Sequence, residues 1–290
     1  MHKATKNIFL LLPAFALFQA CSWLAPATQI PSYIHIDAIT VTSDYPSQGS
    51  NSSKITDAWV YVNSQKIGTF QLPATIPVLS DGLCNVVIDP GIKVNGIAAS
   101  RKPYAFYTQA IQNLTLKRGE KLTVAAAVKY INATTFAWKE DFETVGISVN
   151  KSPFAQFTVD TSMVKVSNTS NVFEGNSCGA VYLDNAHQYF EGTSSSAFSL
   201  PINGDPTFLE LNYKTNNSFK VGIYATGVGS TIPLPVLTVN PSSEWNKIYV
   251  DLSSVTKFAP SPSYTIYFSM ERDANVSQAT LYVDNIKLVY

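Results

Sequence analysis

Several stretches of this 290-residue chain combine residue types that could do chemistry. Its last ten residues read LYVDNIKLVY, an apolar run with a carboxylate, Asp284, in the middle. Successive side chains on a strand point to opposite faces, so a regular strand would set Asp284 beside Tyr282, Ile286, Leu288 and Tyr290. A carboxylate on that face must find hydrogen bonds, an opposite charge or a cation, because burying it unpaired costs more than one strand gains.

The stretch Gly175-Asn176-Ser177-Cys178-Gly179 matches G-x-S-x-G, the nucleophile elbow of α/β-hydrolases, and Asp184 and His187 follow in triad order. That motif works on a strained turn from a strand into a helix. Here AVYLDN follows and reads as a strand, and all three residues crowd into one segment, whereas a triad draws on distant loops. The match is therefore read as non-catalytic. His35 and His187 lie in no zinc-ligand spacing.

Aromatic side chains are platforms for sugar rings, with amides and carboxylates taking the hydroxyls. Tyr182, Tyr189, Phe190 and Tyr224 are candidates, with Asp184, Asn185 and Gln188 as polar neighbours, and structural packing is the competing reading. The loop SRKPYAFY joins Arg101 and Lys102 to Tyr104, Phe106 and Tyr107. It could meet an acidic glycan or a partner protein; alternatively its aromatics plug the end of a sandwich.

The elements that must position these residues are short β-rich runs such as YIHIDAITVTS, AWVYVNS, FLELNYKT and NKIYVDLS, separated by Gly, Pro, Asn and Ser. No long amphipathic helical pattern interrupts them. The expected class is all-β, with two mostly antiparallel β-sandwich domains. Twenty basic and 20 acidic side chains balance, and no basic stripe is present, so nucleic-acid binding is set aside. Cys84 and Cys178 fall in different domains and are expected as small buried hydrophobes, not a disulfide.

The opening MHKATKNIFLLLPAFALFQACS has a basic start, an apolar run too short for a membrane span, and Cys21 after a small residue. LFQAC resembles a bacterial lipobox, with Phe18 and Gln19 departing from the usual pattern. The resemblance implies a signal over residues 1–21, lipid on Cys21, and a Pro/Ala/Ser linker over 22–32. The stretch ITDAWVYVNSQKIGTFQLPATIPVLSDGLCNVVIDPGIKVNG resembles the PEGA family of extracytoplasmic β-domains, placing a PEGA/immunoglobulin-like sandwich at 33–137. Residues 138–290, with EDFE, FEGNSCGAVYLDN, EWNKIYVDLS and YVDNIKLVY in that order, are similar to galactose-binding-like jelly rolls of the carbohydrate-binding-module kind.

In that family a structural calcium often sits where the opening and closing strands meet. The resemblance implies that Asp284 joins Glu140, Asp141 or Glu143 around such an ion; a second acidic cluster, Glu174 with Asn176, is also available. The other reading satisfies Asp284 with turn amides. Trp245, by its matching position, and Trp59 are expected in the cores. The expectation is a non-catalytic outer-membrane lipoprotein of the Bacteroidota type, on the periplasmic face or the cell surface. It would be membrane-anchored through its lipid alone and would bind a carbohydrate through a β-sandwich. The alternative is an accessory subunit of an envelope protein complex.

Overall fold

The structure, a computed structural model, describes residues 29–167 and 170–290. Cys21 and residues 22–28 lie outside the described residues. The first half contains β1 (Ser32–Ile36), β2 (Ile39–Thr42), the short helix α1 (Tyr45–Gln48), β3 (Asp57–Val62), β4 (Gln65–Gln71), β5 (Ala74–Val78), β6 (Gly82–Lys93), β7 (Arg101–Pro103), β8 (Ala110–Leu116), β9 (Lys121–Thr123) and β10 (Ala126–Lys129). The rest contains β11 (Phe136–Glu140), β12 (Val149–Lys151), β13 (Val164–Val166), β14 (Cys178–Leu183), β15 (Tyr189–Ser194), β16 (Phe208–Thr215), β17 (Phe219–Gly227), β18 (Ser230–Val239), β19 (Ser242–Asp251), the helix α2 (Ser253–Phe258), β20 (Ser263–Glu271) and β21 (Ala279–Val289). Among the described residues no helix is long and apolar enough to cross a membrane.

The molecule is all-β and forms two sandwiches. In the first, β4-β3-β6-β7, with β8 also on β6, faces β5-β1-β9 and the pair β10-β2. Alternation explains the packing. Ile34 and Ile36 of β1, Ala58, Val60 and Val62 of β3, and Cys84, Val86 and Ile88 of β6 all turn into one core. Trp59 points the other way and is half-buried, a departure from its expected core position. Its ring lies on Gly91, where a Cβ would come within 1.9 Å of the indole.

In the second sandwich, β13-β14-β21-β16-β19, with β11 on β21, faces β12-β15-β20-β17-β18. Leu209 and Leu211, Val221 and Ile223, Ile266 and Phe268, and Leu281 and Val283 fill the space between them. Trp245 also departs from expectation. It is half-buried outside this core, against Phe173 at 5.5 Å. Cys84 and Cys178 are both free and buried.

The regular strand expected over LYVDNIKLVY is broken at Asp284. There β21 leaves β14, which pairs through Val283, and takes up β11, which pairs from Ile286. Asn285 adopts φ 50°, and the register on β16 slips between Asn212↔Asp284 and Glu210↔Lys287. This β-bulge flips the following residues to the other face. Leu281, Val283, Ile286 and Leu288 therefore share the core, and Asp284 lies on the opposite side from Ile286 and Leu288.

The first sandwich covers the outer face of the β21-β16-β19 sheet: Phe208, Tyr249 and Val289 belong to its apolar cluster. Between them sits a buried polar network built from Glu210, Lys247 and Lys287, one from each strand.

Candidate functional site

The outer face of the other sheet, β12-β15-β20-β17-β18, gathers aromatic and polar groups that the strand alternation places there. With Phe190, Val221 and Phe268 turned inward, Tyr189 and Glu191, Lys220 and Tyr224, and Tyr267 and Ser269 turn outward. Gly222 lets the Tyr267 ring lie flat on the sheet, since a Cβ there would be 2.3 Å from Tyr267 Cζ.

Glu191 is buried at the centre of this face. Its Oε2 accepts a 2.5 Å hydrogen bond from the Tyr189 hydroxyl, and its Oε1 a 2.6 Å bond from the Tyr224 hydroxyl. Burial, then the bond to Glu191, pushes both phenols well above their ordinary range, so both remain protonated donors. Burial and the Glu191 charge raise Tyr267 to about 12.

The segment leading out of β12 crosses this face. Phe154 packs 5.0 Å from Tyr224, and Phe157 stands edge-on to Tyr189 at 5.3 Å while remaining 65 % exposed. Beside Phe157 and Tyr189 opens a groove of about 350 Å³, walled by Lys220, Ser269, Glu271, Arg272 and Asp273. Arg272 Nη1 donates to the Val276 carbonyl at 2.6 Å, and its buried Nε has no hydrogen-bond partner among the described residues. The arrangement offers an apolar ring face with charged and hydroxyl groups around it, the combination that takes a polar ring.

Of the seven residues considered for ligand contact, only Tyr189 lines this groove, and Phe190 is turned into the core. Tyr224 is buried beneath Phe154. Tyr182 lies on the other sheet, edge-on to Tyr282 at 6.1 Å. Asp184, Asn185 and Gln188 form the turn between β14 and β15, where Asp184 Oδ1 accepts from the amides of Ala186 and His187. Gln188 Nε2 donates to the Asn185 carbonyl. Period-two alternation could have grouped Tyr189 with Glu191, but Phe157 and Arg272 sit in irregular segments where no pattern marks them.

The carboxylates expected around calcium are individually engaged. Glu140 Oε1 accepts from the Phe142 amide at 2.8 Å, and its Oε2 from the amide and hydroxyl of Ser148. Glu143 Oε1 accepts from the amides of Asn176 and Ser177, and Oε2 from Asn176 Nδ2. Burial would raise Glu143, but these donors outweigh it and hold the carboxyl below its usual range. Asp141 accepts from the Tyr45 hydroxyl at 2.9 Å and from the Glu143 amide.

Asp284, 1 % exposed, accepts from the amides of Asn285 and Glu174. Burial raises it to about 7 against those two amides, with the charges of Glu174 and Glu143 adding to the rise. Among the described residues no three His, Cys, Asp or Glu side chains converge to hold a metal ion. The donor set thus fits turn amides rather than a calcium cage.

The loop expected to meet a partner is used within the chain. Arg101 pairs with buried Asp57 at 2.6 Å, and Lys102 with Asp251 at 3.0 Å. Tyr104 and Tyr107 are buried and bond to Glu210 and Tyr249 of the second sandwich. Its aromatics therefore pack in the joint between sandwiches, where hydrophobic rings with polar tips are well accommodated.

Ser177 is no elbow. Its hydroxyl pairs with Ser167 at 2.9 Å, and Asp184 and His187 lie beyond the whole six-residue strand β14, roughly 20 Å along the chain. His35 is held by Thr75 at 2.8 Å and Asp37 at 3.0 Å.

No protein family and no curated protein matches the chain. The chain is similar, at low identity and low TM-score, to solved carbohydrate-binding modules. One, from a study of promiscuous specificity in modules of the β-sandwich superfamily, is 15 % identical with a TM-score of 0.38, covering 91 % of this chain and 100 % of its own. The family 30 module of a cellulosomal cellulase of Clostridium thermocellum is 14 % identical with a TM-score of 0.37, covering 52 % and 96 %. A family 61 module solved with β-1,4-galactotriose is 15 % identical with a TM-score of 0.30, covering 48 % and 85 %.

Proposed function

We propose that this chain is a non-catalytic carbohydrate-binding protein whose ligand lies in the groove of Phe157 and Tyr189. The observation that carries the reading is Phe157: a large aromatic ring held edge-on by Tyr189, yet 65 % exposed above a groove of ionic and hydroxyl groups. A sugar packs its C–H face on such a ring and gives its hydroxyls to Lys220, Glu271 and Asp273. Lipid on Cys21 would anchor the chain at the outer membrane, with the PEGA-like first sandwich as the spacer that carries the binding sandwich. The reading is tested by titrating the folded protein with soluble polysaccharides and repeating the titration with Phe157→Ala.

A second reading, an accessory subunit of an envelope complex, draws support from the outer face of the first sandwich, where Leu83 and Ile111 are exposed beside half-buried Val87. Stoichiometric co-purification of one protein, lost with Leu83→Asp, would favour it.

A further inference from the structure

A second cleft, of about 460 Å³, lies between the two sandwiches. Lys54, Lys93 and Lys247 line it, and no Asp or Glu does, although acidic and basic side chains are equal in number over the chain. Lys247 makes a 3.0 Å ion pair with Glu210, without an aligned hydrogen bond. Lys54 donates to Asn246 Oδ1, and Lys93 has no ion-pair partner among the described residues. Burial, then the Lys93 charge, lowers Lys54 from its ordinary range, so the two ammonium groups feel each other across the cleft.

The walls are fixed in advance. The Lys54 amide donates to the Tyr249 hydroxyl at 3.0 Å, the Asn95 amide to the Tyr249 carbonyl at 2.9 Å, and Asn246 Nδ2 to the Tyr213 hydroxyl at 2.8 Å. The turn that follows Lys93 runs through Asn95 and Gly96, both at positive φ, and a Cβ on Gly96 would touch Ile248 at 3.4 Å. Thr238, Asn240 and Ser242 add neutral hydrogen-bonding groups.

We propose that this cleft binds an oxyanion, a carboxylate or sulfate carried by an acidic sugar, with Lys54 and Lys93 as its counter-charges. Two like charges held together in a partly enclosed site, with no carboxylate beside them, are relieved by an anionic ligand. The site is distinct from the Phe157 groove and stands or falls separately from it.

The test is calorimetric titration of the full chain bearing Phe157→Ala, which silences the first groove, with tetragalacturonate, its neutral galactose counterpart and sodium sulfate. Tetragalacturonate is expected to bind at least tenfold more tightly than the neutral sugar and to weaken as salt rises from about 50 to about 500 mM. Adding Lys54→Gln and Lys93→Gln is expected to cost at least another tenfold while the circular dichroism spectrum is unchanged. Sulfate binding with the same loss, but no uronate binding, upholds the oxyanion site and assigns it to a free anion. Equal affinity for acidic and neutral sugars, affinity unchanged by the lysine substitutions, or no binding of any probe overturns it.

Discussion

Tyr104 of the first sandwich donates a 2.7 Å hydrogen bond to Oε1 of Glu210, a fully buried carboxylate on the second. Tyr130 reaches the same carboxylate at 3.0 Å, and Lys247 lies 3.0 Å from Oε2. Lys287, opposite Glu210 in the strand register, donates to the Ser50 carbonyl at 2.5 Å and to the Tyr130 hydroxyl at 3.3 Å. Burial by itself would raise Glu210, but the Lys247 and Lys287 charges and the tyrosine bonds prevail and hold it ionised. The two sandwiches are thus joined by a paired and hydrogen-bonded charge, surrounded by Phe208, Tyr249 and Val289.

That joint predicts an asymmetry between two substitutions. Tyr104→Phe removes one donor from a carboxylate that keeps others, and is expected to cost about 1–2 kcal/mol. Glu210→Ala leaves Lys247 and Lys287 buried without their counter-charge, and is expected to cost about 3–5 kcal/mol. Urea denaturation of each variant gives the comparison. Equal, small losses would mean that the network carries little of the joint.

The pH dependence of stability follows from two buried groups with opposite signs. Asp284 is raised to about 7, so the folded state holds its proton more tightly than the unfolded chain does. Its contribution is fully present below the unfolded value near 4 and is lost as pH rises to about 7, by up to about 1.4 kcal/mol per pH unit. Lys287 is lowered to about 7, mainly by burial, so its contribution is lost as pH falls from about 10 to about 7. Asp284→Asn should therefore flatten the slope between pH 4 and 7 and stabilise the protein at pH 8. A slope unchanged in the variant would remove Asp284 from the account.

Calcium is expected to leave the melting temperature within about 1 °C of that in chelator, because Glu140 and Glu143 already spend their oxygens on backbone and side-chain donors. A calcium-dependent rise of several degrees that disappears in Asp284→Asn would restore the ion at the bulge.

Gly91→Ala should destabilise the first sandwich by about 1–3 kcal/mol, since the new methyl would lie 1.9 Å from Trp59. Adding Trp59→Leu should recover part of the loss, and a failure to do so would show that the glycine is needed for another reason.

Much of the fold was legible from period-two patterning and turn residues, because both sandwiches bury one face of nearly every strand. The errors have local causes. A regular strand places Asp284 with Ile286, but the bulge at Asn285 reverses that, and a single asparagine is a weak signal for a positive φ. Glu210 in FLELNYKT, Lys247 in NKIYVDLS and Lys287 in DNIKLVY are charged residues inside apolar strands that the reading of the sequence does not single out. Their pairing was not visible, because it depends on the order β21-β16-β19 and on a second sandwich covering that face. The matching position in jelly rolls points Trp245 inward, and Trp59 is read the same way, whereas strand parity turns both outward. The groove was half legible: Tyr189 lies on a regular strand, while Phe157 and Arg272 come from segments without a period.

The central claim is that Phe157 and Tyr189 form a sugar platform. The most direct measurement is the affinity of the folded chain for a panel of soluble β-glycans, among them β-1,4-galactan, xylan and mixed-linkage glucan, with Phe157→Ala beside it. Removing a stacked ring is expected to weaken binding by at least tenfold, with no change in melting temperature because Phe157 is exposed. Glycan binding that is indifferent to Phe157→Ala, or no binding by protein shown to be folded, would contradict the account.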